Sequence, residues 1–143
     1  MSNAKVLLVD DEEEFAETLA IRLETRGLRV ETACDGETAL QKVQQHSFDA
    51  VLLDLAMPGI GGIETLRQIR QVSPESQVIL LTGRATVKTA TEAMRLGAMD
   101  LLEKPTDIAE LVEKISEAAT RKMRLSEERI HQQMGEILGK KGW

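Results

Sequence analysis

With 143 residues and 42% hydrophobic content, the chain has the length of one ordinary domain and too much apolar material for a disordered segment. The formal net charge of −6 argues against a stand-alone nucleic-acid binder, which would carry a strongly basic face. Cys34 is the single cysteine, which excludes an intramolecular disulfide and a thiolate metal cage, and no run approaches the ~20 apolar residues of a membrane span.

In chain order, the first short apolar run is "KVLLV", followed directly by Asp10, Asp11, Glu12, Glu13 and Glu14. The next segment has helical period, with Phe15, Leu19 and Leu23 on one stripe. Gly27 closes it. "LRVETA" reads as the second strand, and Ala39, Leu40 and Val43 mark the second helix. "DAVLLDL" is the third strand and ends near Asp54. Ile63, Leu66 and Ile69 stripe the third helix, with Pro74 after it. "QVILLT" is the fourth strand, ending at Thr82. Val87, Ala90 and Met94 predict the inward face of the fourth helix, which Gly97 closes. "MDLLE" is the fifth strand, running into Lys104. Ile108, Leu111, Val112 and Ile115 stripe the fifth helix, with Asp107 as a candidate cap. The first, third and fourth strands show little internal alternation, as expected where both sheet faces are covered. A fivefold β-α order with right-handed crossovers predicts an open parallel α/β sheet with helices on both faces. Ligands then bind outside the carboxyl ends of the strands, where strand order reverses.

Past about Thr120 the chain changes character. Met123, Ile130 and Ile137 recur every seven residues, with Met134 and Leu138 beside the later two. The pattern is too short and broken for a coiled coil, and Gly135, Gly139 and Gly142 weaken helix. The expectation is a domain over residues 1–120 and a helical extension over 121–143, fraying toward its end.

Asp10, Asp11, Asp54, Thr82 and Lys104 all fall at the same carboxyl edge of this predicted sheet. Two carboxylates ~5 Å apart repel by ~3 kcal/mol at an effective dielectric near 20. Gathering three therefore needs compensation, partly from Lys104 and partly from a divalent cation. Hard oxygen ligands suit Mg²⁺, which commonly joins carboxylates to a phosphate. A carboxylate such as Asp54 can serve as a nucleophile toward a phosphoryl group. Thr82 offers a hydroxyl donor and Lys104 a point charge. Glu12 to Glu14 are read instead as favouring the positive end of the first helix.

These residues, with "VDD" at 9–11, "DLAMPGIGG", "LTG" and "GAMDLLEKP", resemble the receiver domain of two-component response regulators over about residues 4 to 120. The resemblance implies a flavodoxin-like fold with strand order 2-1-3-4-5 and a partner sensor histidine kinase that donates a phosphoryl group to Asp54. It implies Mg²⁺ held by Asp11, Asp54 and the Ala56 backbone carbonyl, with Asp10 acting through water. It also implies a cis peptide between Lys104 and Pro105 and a signalling role rather than an enzymatic one. Three positions depart from the usual pattern. Leu101 stands where the family most often has an aromatic switch residue. Ala56 and Arg84 occupy places that tune phosphoryl lifetime in relatives.

The alternatives are a haloacid-dehalogenase-like phosphatase, which needs a second Asp where Ala56 stands, and an interaction module independent of phosphorylation. The expected output is a change in the face formed by the fourth helix, fifth strand and fifth helix, roughly residues 86 to 120, and pairing through it into a homodimer. Direct nucleic-acid binding and membrane insertion are not expected. A reducing cytoplasm fits best, because "MSNAKVLL" lacks a signal peptide's apolar region and cleavage site.

Overall fold

The computed structural model describes residues 3–56, 61–83, 86–104 and 107–140. Five strands form one sheet: β1 Lys5–Val9, β2 Arg29–Ala33, β3 Ala50–Leu53, β4 Gln77–Thr82 and β5 Asp100–Glu103. All pairs are parallel, in the order β2-β1-β3-β4-β5. The helices between and after them are α1 Glu13–Thr25, α2 Gly36–Gln45, α3 Gly61–Val72, α4 Val87–Arg95 and α5 Ile108–Lys140. This is the flavodoxin-like α/β arrangement expected from the sequence, with β3 confined to the middle of its apolar run.

The unbroken apolar strands are explained by the two cores they separate. Successive side chains of a strand point to opposite faces. Val6 and Leu8 of β1 join Ala50, Leu52, Ile79 and Leu81 in a core covered by α1 and α5. Leu7 and Val9 join Val51, Leu53, Val78 and Leu80 in a second core covered by α2, α3 and α4. Every residue of β3 and β4 is buried, so neither strand has a polar face to alternate. Phe48, fully buried, is the large anchor of the second core.

The helix ends follow their residues. Asp35 caps α2, its Oδ1 accepting the Thr38 N–H at 2.7 Å, and Thr86 caps α4 through the Thr89 N–H at 3.1 Å. Gly27 and Gly97 follow α1 and α4 with φ of 89° and 96°, a region open to glycine without a Cβ penalty.

The structure corrects one expectation. The inward face of α4 is not the Val87–Ala90–Met94 stripe. Val87 is 86% exposed and Met94 48% exposed, whereas Ala93 is fully buried and Leu96 packs against the second core. Ala93 lies about 120° round the helix from Val87 and about 100° from Met94 at 3.6 residues per turn. The Ala98 N–H, bonded to the Ala93 carbonyl at 3.1 Å, draws that side of the helix end to the sheet. At the end of the chain the extended last helix is present as expected. α5 is continuous for 33 residues and runs through Gly135. Residues 122–129, at its middle, are fastened to the segments just before β3 and β4. Arg129 meets Glu75 at 2.5 Å, Ser126 donates to Glu75 at 3.0 Å, and Lys122 contacts Asp49 at 3.8 Å and the Ser47 hydroxyl.

Candidate functional site

The sheet itself delivers the site. Val9 pairs with Ala33 on one side and Leu53 on the other. The next residue on each central strand continues the ladder. The Asp10 N–H donates to the Ala33 carbonyl and the Asp54 N–H to the Val9 carbonyl, both at 3.0 Å. Both aspartates are thereby fixed immediately outside the strands, where the order reverses between β1 and β3. The Lys104 N–H likewise donates to the Thr82 carbonyl at 2.8 Å. Asp10, Asp54 and Thr82 are all nearly fully buried, at 2%, 4% and 2% exposure.

The side chains converge on one ammonium group. Lys104 Nζ lies 2.6 Å from Asp10 Oδ2, 3.2 Å from Glu12 Oε1 and 3.6 Å from Asp54 Oδ2. It also sits 4.3 Å from the centre of the Phe15 ring, a distance at which the ring quadrupole attracts a cation. Burial opposes the charged form of Lys104. Its hydrogen bonds to Asp10 and Glu12, and the charges of Asp10 and Asp54, outweigh burial and hold it above the ordinary lysine value. For Asp54 burial wins in the other direction. It pushes the carboxyl above its ordinary value, the Asp10 charge adds to the rise, and the Ala56 N–H and Lys104 pull against it.

Glu12 is the residue that sequence reasoning assigned elsewhere. Asp10 Oδ1 accepts the Glu12 N–H at 2.9 Å, a side-chain turn that folds the chain back over the sheet edge. Glu12 stands at the N-cap of α1 but makes no capping bond with its side chain. Its carboxylate goes to Lys104 instead. Phe15 also belongs to the site, as the ring beneath Lys104. Its signal was present in the sequence, since it begins the α1 stripe one residue after the acidic run. Glu12 carried no such signal among three successive glutamates.

Carboxylate oxygens of Asp10, Glu12 and Asp54 all lie within 4.8 Å of one another. Asp11 is exposed and outside this group. Ala56 is exposed, and its N–H donates to Asp54 Oδ1 at 3.2 Å, the same two-residue turn seen at Asp10. Leu101 is half-buried and packs against the second core, its N–H bonded to Asp100 Oδ1 at 2.7 Å. Arg84 and Pro105, with the peptide bond between Lys104 and Pro105, lie outside the described residues, as do Pro58 and Gly59 of the third-strand motif.

Three carboxylates against one lysine leave the pocket with excess negative charge. All the donors are hard oxygens, and two of the three are buried beyond easy screening by water. That donor set fits a small divalent cation of the Mg²⁺ type.

Comparison with known proteins agrees with this architecture. The response regulator receiver domain family matches residues 6–116. The transcriptional regulatory protein ZraR of Klebsiella oxytoca is 41% identical over 122 residues, covering 85% of this chain and 27% of ZraR. The transcriptional regulatory protein CpxR homolog of Haemophilus influenzae is 46% identical over 112 residues, 78% of this chain and 48% of that protein. The chain thus spans between about a quarter and a half of the length of these relatives. Among solved structures, a CheY-like response regulator receiver domain from Methanospirillum hungatei JF-1 superposes with a TM-score of 0.81 at 28% identity, covering 86% of this chain and 98% of that one. A response regulator receiver domain protein from Clostridium thermocellum gives 0.80 at 35% identity, with 85% and 98% covered. Fold, acidic edge and sequence match together place the chain in the response regulator receiver domain family.

Proposed function

We propose that this receiver domain accepts a phosphoryl group on Asp54 from a histidine kinase and passes the signal on as a change of surface. The observation that carries the reading is the convergence of the Asp10 and Asp54 carboxylates with Lys104 at the point where strand order reverses. In the transfer, an Asp54 carboxylate oxygen forms a bond to phosphorus as the bond from phosphorus to the donor's imidazole nitrogen breaks. The imidazole leaves with that electron pair. Asp54 must be ionised to attack; burial raises its pKa, and the Ala56 N–H and Lys104 work against that rise. On this reading Lys104 carries a phosphoryl oxygen, and the Thr82 hydroxyl is the second candidate donor. Most of what phosphoryl transfer asks of a protein is such positioning and charge compensation. Asp10 and Asp54, with Asp11 and the Ala56 carbonyl that the family resemblance adds, would hold Mg²⁺. When bound, Mg²⁺ supplies neutralisation of the charge developing on the phosphoryl oxygens.

The test is incubation with acetyl phosphate and Mg²⁺ followed by intact mass. One phosphoryl group should appear on the wild type and none on Asp54→Asn. Labelling of the variant would move the acceptor elsewhere. Continued turnover of a small phosphomonoester would favour the phosphatase alternative, which the alanine at position 56 does not support.

The proposed output face is α4, β5 and the first half of α5. Its support is the apolar surface that α4 leaves in solvent at Val87 and Met94. The extension beyond residue 120 adds to self-association on this reading, because Met123, Ile130, Met134 and Ile137 are 52–61% exposed along one side of a continuous helix. Burying such side chains contributes on the order of 1 kcal/mol each. Ending the chain at Thr120 is therefore expected to weaken dimerisation at least about tenfold in dilution experiments. An unchanged affinity would confine the interface to the domain. The transcriptional regulatory role in the relatives' names is said of those longer proteins, and this domain's own surface, acidic overall, is not proposed to contact nucleic acid.

A further inference from the structure

We propose that Glu12 is a positioning residue for Lys104, holding its ammonium group on the solvent side of the pocket until an anion arrives on Asp54. The proposal rests on the reading of Asp54 as the acceptor. Lys104 Nζ is closer to Asp10 and Glu12, at 2.6 and 3.2 Å, than to Asp54, at 3.6 Å. A phosphoryl oxygen on Asp54 would bring a further negative charge to the same ammonium group, in competition with the two carboxylates already hydrogen-bonded to it. Asp10 cannot release it easily. Its side chain is 2% exposed, and its other oxygen is tied to the Glu12 N–H at 2.9 Å. Glu12 can, because its side chain is 66% exposed and makes no capping bond to α1. Glu12 is thus the exchangeable partner. Its carboxylate is given up to water when a phosphoryl oxygen takes its place on Lys104.

The placement distinguishes Glu12 from its neighbours. Glu13 and Glu14 sit in the first turn of α1 and are exposed, so they contribute general negative charge. Only Glu12 of the three is hydrogen-bonded to the lysine.

The test compares Glu12→Gln with Glu14→Gln in the full chain, two variants with the same change of charge. Labelling by acetyl phosphate should be about twofold to fivefold faster in Glu12→Gln than in wild type, the range of an exposed ion pair, and faster than in Glu14→Gln. The Lys104 side-chain resonances, recorded by NMR with no phosphoryl donor present, should shift in Glu12→Gln and stay in place in Glu14→Gln. Equal acceleration in both variants would reduce the effect to bulk charge and overturn the proposal. Unmoved Lys104 resonances in Glu12→Gln would overturn it as well. Because those resonances are read without a donor, a failure of Asp54 to label would be told apart from a failure of the Glu12 contact.

Discussion

Replacing Gly62 by alanine is expected to destabilise the fold by about 3 kcal/mol, the upper end of the usual cost of overpacking, and to slow labelling of Asp54 more than tenfold. A Cβ at this position would lie 2.4 Å from Leu55 Cα and 2.7 Å from the carbonyl oxygens of both Asp54 and Leu55. All three are backbone atoms of the acceptor segment, so no side chain can swing aside. The Gly62 N–H also donates to the Leu55 carbonyl at 3.2 Å, which holds the start of α3 against the end of β3. The helix cannot simply retreat, because Leu66 and Ile69 are fully buried in the second core. The strain therefore falls on the segment that carries Asp54, coupling the loss of stability to a loss of alignment. Gly135→Ala is the matched control. Its Cβ would meet nothing, and on an exposed helix the change should stabilise by about 0.5–1 kcal/mol. Denaturant unfolding of both variants, with labelling rates alongside, checks the contrast. A Gly62→Ala protein as stable as wild type would mean that α3 does not need its close approach to the acceptor segment.

The sheet and its cores were legible in the sequence because burial on both faces leaves a simple mark. "KVLLV" and "QVILLT" carry polar residues only at their ends, so nothing inside the runs confuses their reading, and both fall where expected. The stripes of α1, α3 and α5 were legible for a related reason, since a long helix on a flat sheet repeats its inward position several times. α4 has nine residues and buries one alanine completely. Hydrophobic size then points to Val87 and Met94, the exposed side, because a small inward residue gives no signal. The convergence of Asp10, Asp54, Thr82 and Lys104 on one edge followed from topology. Side-chain partners did not. That Lys104 lies nearest Asp10, and that Glu12 rather than Asp11 joins the carboxylate group, depends on a turn closed by Asp10 on the Glu12 N–H. Nothing in five consecutive acidic residues says which of them that turn will aim inward.

Lys104→Met should cost about 3 kcal/mol of stability at neutral pH, with the deficit closing as the pH falls through the carboxylate range. Methionine keeps an unbranched apolar stem over Phe15 while removing the charge, so the change isolates electrostatics from packing. Removing one partner of a buried pair is costly because the remaining charge stays uncompensated. Here the remaining charges are Asp10 and Asp54, both nearly fully buried. The sign follows from the two shifts. Lys104 is held above its ordinary value, so its contribution is complete at neutral pH and is lost only as pH rises through that elevated value. Asp54 is pushed up by burial. Burial therefore costs stability, nothing at a pH where the carboxyl is protonated in both folded and unfolded chains, growing as pH rises from the unfolded value to the folded value, and constant above that. Without Lys104 that value rises further and the cost at neutral pH grows. Wild type and variant should thus converge in acid and diverge toward neutrality, and added Mg²⁺ should narrow the gap by replacing part of the missing positive charge. Urea titrations at several pH values, with and without Mg²⁺, give the comparison directly. A variant that tracks wild type at every pH would show that the carboxylates at this edge do not depend on Lys104 for their compensation, and the charge balance proposed for the acceptor site would fall with it.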